Sequence, residues 1–187
     1  MDARLTPVDA AALLRRGGVI AYPTEAVWGL GCDPFDEAAV MRLLALKQRP
    51  VDKGVILIAG ELSQFEGLLH WEALPTDRAE SVFATWPGPF TWIVPTTGRV
   101  PHWITGAHDG VAVRVSAHPG VRALCAAHGG PLVSTSANPA GAPPPKSLET
   151  FDAGLRARID GIVEGCTGDL AQPTAIRDAR SGVVLRG

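Results

Sequence analysis

Apolar runs of strand character alternate with helix-patterned segments from Thr6 to Arg186, and that interleaving points to an α/β domain built on a mixed sheet. Thr6-Pro7-Val8-Asp9 reads as a helix start, with a hydroxyl cap, proline at the first helical position and an acid in the first turn. This helix is expected to run to Arg16 and stop at Gly17-Gly18. Val19–Tyr22 reads as a strand, broken at Pro23. Asp36 caps a second helix whose apolar face is Ala39, Val40, Leu43, Leu44 and Leu46, ending at Lys47.

Further strands are expected at Val55–Ile58, Phe90–Val94, Val111–Val115, Leu132–Ser134, Ile162–Glu164, Ala175–Arg177 and Val183–Arg186. Helices are expected near Glu61–Leu69 and over Asp77–Thr85, Pro119–His128 and Leu148–Arg158. Pro139–Pro145 is too short to divide two domains and reads as a rigid loop at a site, so residues 1–187 form one unit.

A chain of 187 residues, 46% hydrophobic and 19% charged, can bury a core without disulfides or metal staples and is not disordered. Its net charge of -2 argues against a protein that wraps nucleic acid, so any RNA contact is local. Cys32, Cys125 and Cys166 are scattered, which fits a reducing compartment better than a disulfide framework. Cys32 follows a glycine-rich loop and is either a nucleophile or, more commonly for such a residue, an inert buried thiol. His70, His102, His108, His118 and His128 share no metal-ligand spacing, and no zinc site is assigned. The first residues lack a signal peptide's basic start and apolar run, and no apolar stretch approaches the ~20 residues that span a bilayer. A soluble, cytoplasmic protein is expected.

Five stretches carry chemistry. Tyr22–Gly31 leaves a strand into a glycine-rich turn, either a plain turn or a ligand loop where Thr24 offers a hydroxyl, Glu25 an acid, and Gly29 and Gly31 close backbone approach. A dinucleotide fingerprint reads poorly there, because Pro34 stands at the third glycine position. Lys47-Gln48-Arg49-Pro50-Val51-Asp52-Lys53 sets three cations between a helix end and a buried strand. It is either a solvated charge run or a clamp for an anion. No phosphate-binding glycine loop ending in Gly-Lys-Ser/Thr occurs, so a triphosphate would need such side chains.

Arg114 stands inside the apolar run Val111–Val115, where a guanidinium needs a carboxylate, from the protein or from a ligand. Ser134-Thr135-Ser136-Ala137-Asn138 follows a strand with small polar side chains suited to directed hydrogen bonds, or to an ordinary turn. A catalytic serine triad is excluded for want of a Gly-x-Ser-x-Gly elbow. Pro173–Asp178 and Val184–Gly187 add Thr174, Arg177 and Arg186, which alone would read as a solvated edge.

Together these stretches resemble the YrdC/TsaC family of threonylcarbamoyl-adenylate synthases in its short bacterial form. The resemblance rests on Tyr-Pro-Thr-Glu-Ala-Val at 22–27, Lys-Gln-Arg-Pro-Val-Asp-Lys-Gly at 47–54 and Trp-Pro-Gly-Pro-Phe-Thr at 86–91. It continues through Ala-Val-Arg at 112–114, Ser-Thr-Ser-Ala-Asn at 134–138 and Pro-Thr-Ala-Ile-Arg-Asp at 173–178. The resemblance implies a twisted mixed sheet with flanking helices around a concave basic cavity. It implies a reaction of L-threonine, bicarbonate and ATP to threonylcarbamoyl-AMP and pyrophosphate, for a modified adenosine (t6A) in tRNA.

By the same resemblance Thr24, Arg114, Ser136 and Thr174 hold threonine or its carbamate. Lys47, Arg49 and Lys53 hold the phosphates, with Lys47 and Arg49 as the catalytic pair. Asn138, Lys146 and Arg186 contact the nucleotide, and Ser134 is a further member. Magnesium is expected to arrive with ATP, held by phosphates and water, with no protein metal site. Implied partners are a downstream threonylcarbamoyl-transferase complex and tRNA through weak local contact, with no membrane. Two competing readings are an RNA-binding or ribosome-maturation factor using the same basic cavity, and a carbamoyl-transfer module like those of hydrogenase maturation.

Overall fold

The Asp36 carboxylate accepts from the Ala39 N–H at 3.0 Å, and the Thr6 hydroxyl accepts from the Asp9 N–H at 3.2 Å. Each satisfies a donor that the first turn of a helix leaves orphaned, so both helices begin where their cap residues stand. The computed structural model describes residues 4–186, and of Arg186 only the backbone. In chain order the elements are β1 (Arg4–Leu5), α1 (Pro7–Leu14), β2 (Ile20–Pro23), β3 (Trp28–Gly31), α2 (Glu37–Leu46) and β4 (Ile56–Ala59). There follow α3 (Thr76–Phe83), β5 (Phe90–Pro95), α4 (His102–Thr105), β6 (Gly110–Val115), α5 (Pro119–His128) and β7 (Leu132–Ser136). The chain closes with α6 (Ala153–Arg156), β8 (Gly161–Val163), β9 (Ala175–Asp178) and β10 (Val184–Arg186).

Among the described residues the strands form one sheet in the order β1-β8-β2-β3-β7-β4-β6-β5-β9-β10. Pairings of both senses occur: β4 runs parallel to β6, and β7 antiparallel to β3 and β4. The molecule is therefore a single α/β domain with a mixed sheet and flanking helices.

Successive strand side chains point to opposite faces, and the two cores follow that alternation. Ile20, Tyr22, Ile58 and Leu132 pack under Ala10 and Leu14 of α1 and Val121, Leu124 and Cys125 of α5. Val19, Ala21, Leu57, Ala59 and Val133 face the other way, toward Leu43 and Leu44 of α2, Val82 of α3 and Ile104 of α4. All five residues of the apolar face expected on α2 are buried.

Several local expectations are corrected. The Glu61–Leu69 segment is a short 3-10 turn at Leu62–Phe65, cut off by Gly67 at φ +73°. The helix expected over Leu148–Arg158 is only α6, because the Asp152 carboxylate accepts from the Leu155 N–H at 2.7 Å and starts it there. The stretch read as a glycine-rich turn contains β3, which pairs antiparallel with β2 as a hairpin. Gly31 is required at that position. A Cβ there would sit 2.4 Å from the Val133 carbonyl oxygen and 2.7 Å from the Tyr22 ring.

Candidate functional site

Helices α1 and α5 shelter only part of their face of the sheet. Two residues beyond Leu132 the same face of β7 shows Ser134 and then Ser136, and two residues before Ile58 that of β4 shows Ile56. Register carries this row across the sheet: Ser134 lies opposite Ile56, Ile56 beside Ala112, and Ala112 opposite Ile93. These residues floor a cavity of about 620 Å³, within the ordinary range for a small-molecule site.

Segments outside the sheet from five separate parts of the chain wall the cavity. Thr24, Lys47, Arg49, Lys53, Arg114, Ser134, Ser136, Asn138 and Thr174, nine residues singled out in the sequence, all line it. The lining holds Lys47, Arg49, Lys53 and Arg114 but no carboxylate.

Lys47 follows directly on α2 and is 7% exposed. Its ammonium donates to the Ser136 carbonyl and, at 2.9 Å, to the Asn138 carbonyl, which leaves one of its three donors. Burial, with the nearby Arg49 charge, lowers its pKa to about 8. At neutral pH the group stays mostly charged, and an arriving anion would hold it so. Arg49 lies over the following turn, with Nε and Nη2 donating to the Gly54 carbonyl at 3.1 and 2.8 Å. That turn is locked to α4 and the segment after it by Val55 N–H to Ile104 O at 2.9 Å and Ala107 N–H to Asp52 O at 3.0 Å. Lys53 stands exposed at the rim.

At the other end, Arg114 is buried in β6 and donates from Nη1 to the Thr174 hydroxyl at 2.8 Å. Its carboxylate partner is Glu25, with Nη2 3.6 Å from Oε2. The protein thus supplies the carboxylate for which the sequence offered two sources. Yet the Arg114 Nε has no hydrogen-bond partner, so the fork is not saturated. Thr24 is buried, its hydroxyl donating to the Val27 carbonyl at 2.8 Å. Asn138 donates from Nδ2 to the Ala142 carbonyl at 2.6 Å, pinning the proline-rich loop, while its buried Oδ1 has no partner.

Lys146, also assigned to the site from the sequence, stands apart from this group. It is exposed and outside the lining, its ammonium donating to the Ala171 carbonyl at 2.7 Å. It thereby tethers the strand of chain that carries Gln172, Pro173 and Thr174 into the cavity wall. The side chain of Arg186 lies outside the described residues. Sequence reasoning missed Gln48, Thr105, His108 and Gln172, which also line the cavity. It missed Thr91 too, whose hydroxyl lies 3.1 Å from that of Thr174. No helix of the described residues is long and apolar enough to cross a membrane.

A family model described as "Telomere recombination", of the Sua5, YciO and YrdC proteins, matches residues 12–187. A Xanthomonas euvesicatoria protein named threonylcarbamoyl-AMP synthase is 62% identical over 177 residues, 95% of each chain. A Xanthomonas oryzae protein of the same name is 60% identical over 182 residues, 97% of each. Among solved structures, P. abyssi Sua5 complexed with L-threonine superposes with a TM-score of 0.84 at 33% identity. That alignment covers 92% of this chain and 50% of that one, so the chain spans about half the length of Sua5. E. coli YciO superposes with a TM-score of 0.83 at 28% identity, over 96% of this chain and 87% of that one. Matched by the family model from residue 12 onward and by relatives of such identity along nearly their whole length, the chain belongs to the Sua5/YciO/YrdC family.

Proposed function

We propose that this chain is a threonylcarbamoyl-AMP synthase, which joins L-threonine, bicarbonate and ATP into L-threonylcarbamoyl-adenylate and pyrophosphate. The observation that carries the reading is the meeting of Lys47, Arg49, Lys53, Arg114, Ser136, Asn138 and Thr174 around one cavity. Relatives at 60% identity and above bear that enzyme's name, and Sua5, about half of which this chain matches, is known as a complex with L-threonine. The RNA-binding reading is not favoured by relatives so named.

The two ends of the cavity suit two anions. Arg114 and Thr174, with Thr24 and Ser136 nearby, offer a guanidinium and hydroxyls to an amino-acid carboxylate and carbamate. Lys47, Arg49 and Lys53 offer cations to a triphosphate, and the unpartnered Asn138 Oδ1 offers an acceptor to the nucleoside. The threonine amine and bicarbonate condense to a carbamate with loss of water. A carbamate oxygen then attacks the α-phosphorus, and the bond to the β-phosphate oxygen breaks as pyrophosphate leaves. The protein needs no covalent nucleophile, because its task is to align the partners and neutralise the charge that builds on the leaving group. Lys47 and Arg49, fixed by backbone carbonyls before substrate arrives, would do so without reorganising.

Magnesium would enter with ATP. The lining offers it no carboxylate, and no group of three or more candidate ligands occurs among the described residues, so phosphate oxygens and water would be its ligands. The product would pass to a transferase acting on tRNA in the cytoplasm, with tRNA touching this chain only locally. The test is pyrophosphate release from ATP by the purified chain. Release that requires both threonine and bicarbonate is expected, and release indifferent to threonine would overturn the reading.

A further inference from the structure

Behind the cavity wall a polar chain links five side chains, two from strands (Thr91, Arg114) and three from loops (Glu25, Ser116, Thr174). Ser116 Oγ donates to Glu25 Oε1 at 2.6 Å, and Glu25 Oε2 lies 3.6 Å from Arg114 Nη2. Arg114 Nη1 donates to Thr174 Oγ1 at 2.8 Å, and Thr174 Oγ1 meets Thr91 Oγ1 at 3.1 Å. Of these residues only Arg114 and Thr174 line the cavity. Glu25, Ser116 and Thr91 stand behind them, outside the lining.

Glu25 is held from two further directions. The His118 N–H donates to Ser116 Oγ at 3.1 Å, fixing the serine that grips the carboxylate. The Glu25 carbonyl accepts from the Leu170 N–H at 3.2 Å, and Thr24 O accepts from the Gly168 N–H at 2.9 Å. A Cβ on Gly168 would fall 2.7 Å from the Glu25 carbonyl oxygen, so that backbone packs directly on it. A carboxylate braced on its own backbone and on Ser116 is a fixed reference for the guanidinium beside it.

The Arg114–Glu25 contact is too long for a hydrogen bond, and Glu25 Oε2 and Arg114 Nε are both buried without a partner. The pair is therefore an orienting field and not a closed fork, and Arg114 keeps donors for a second carboxylate. Resting on the proposed function, we infer that Glu25, clamped by Ser116, is the positioning residue that aims Arg114 at the carboxylate of the amino-acid substrate. Thr91 sets the Thr174 hydroxyl from the opposite side.

The Glu25→Gln variant keeps an acceptor for Ser116 but loses the charge facing Arg114. Its KM for threonine rises about tenfold or more, while its KM for ATP stays within about twofold of wild type. Ser116→Ala raises the threonine KM by a smaller factor, and the double variant is no worse than Glu25→Gln, because the serine acts only through the carboxylate. Equal loss for ATP and threonine, or an unchanged threonine KM in folded Glu25→Gln, overturns the inference. If that variant fails to fold, additive effects of Ser116→Ala and Arg114→Lys on the threonine KM overturn it, and non-additive ones support it. Wild-type chain that releases pyrophosphate without needing threonine sinks the underlying assignment instead, and this inference with it.

Discussion

Lys47 and Asn138, distant in sequence, meet where the lysine ammonium donates to the asparagine carbonyl at 2.9 Å. The same ammonium also takes the Ser136 carbonyl, so one cation at the end of α2 holds the strand exit that carries Ser136 and Asn138. The contact joins the end of the cavity proposed to hold phosphate to the segment proposed to receive the nucleoside. Two jobs therefore meet on one side chain, the loop anchorage seen in these bonds and the charge neutralisation proposed for it.

Lys47→Ala removes both. Pyrophosphate release is expected to fall by about a hundredfold or more, the scale of losing a fixed electrostatic contact at a site of developing charge. Far-ultraviolet circular dichroism stays native, since α2 is held by its buried apolar face and its Asp36 cap. Turnover within threefold of wild type would show that the lysine only anchors the loop.

Because burial lowers the Lys47 pKa to about 8, activity and stability respond to alkali in opposite senses. In the proposed role it is the charged form that serves catalysis, so kcat/KM for ATP is expected to decline as pH rises through about 8. The unfolded lysine keeps its ordinary value of 10.5, so between these two values the unfolded chain binds more protons. This group's contribution to folding therefore rises with pH across that window, as the cost of burying a charge is relieved. Lys47→Arg abolishes the alkaline limb in whatever activity remains. A flat profile to pH 9.5 in the wild-type chain would contradict the assignment.

Gln48 lines the cavity with φ at +50°, the one non-glycine residue at positive φ among those described. It turns the chain out of α2 through Gln48 N–H to Ala45 O at 3.1 Å and Arg49 N–H to Leu44 O at 3.0 Å, the paired bonds that usually end on glycine. Left-handed backbone costs an ordinary residue roughly 1–2 kcal/mol, and a glycine gives back part of that in unfolded-state entropy. Gln48→Gly is expected to gain about 0.5–1 kcal/mol in urea unfolding, and Gln48→Val to lose at least that much. A destabilised glycine variant would show that the side chain, not the backbone, matters for folding.

Much of the framework could be read directly from the chain. The Asp36 cap and the five apolar residues of α2 are local signals that tertiary packing agrees with, and Gly110–Val115 is a buried strand for the reason its valines suggest. Strand β3 was hidden because Trp-Gly-Leu-Gly carries turn residues. Its Gly31 answers to the Val133 carbonyl and the Tyr22 ring, neighbours no local pattern names. Helix α4 is only four residues long, less than the span over which a helical period shows. In the site, Lys47, Arg49 and Arg114 are visible as charges out of place. Glu25 was visible as an acid, but its tie to Arg114 and Ser116 exists only once β6 has paired. Thr91 and Thr105 look like any strand or loop threonine until the sheet is assembled.

The sheet's tight centre predicts a contrast between two glycines. At Gly31 an alanine methyl would overlap the Val133 carbonyl oxygen at 2.4 Å and the Tyr22 ring at 2.7 Å. Neither can yield easily: the carbonyl belongs to the neighbouring strand, and Tyr22 is fully buried with its hydroxyl donating to that same carbonyl at 3.2 Å. At Gly130, beyond the end of α5, nothing lies within 4 Å of the added carbon. Gly31→Ala should therefore lose about 3 kcal/mol or more, at the upper end of overpacking costs, while Gly130→Ala stays within about 0.5 kcal/mol of wild type. Because Gly29 and Ser136 are paired across the same strand junction, the Gly31 variant should also weaken threonine-dependent turnover in whatever fraction remains folded. Equal thermal midpoints for the two variants would mean that β3 and β7 separate freely enough to admit a methyl group. The floor of the cavity would then be far softer than its register implies.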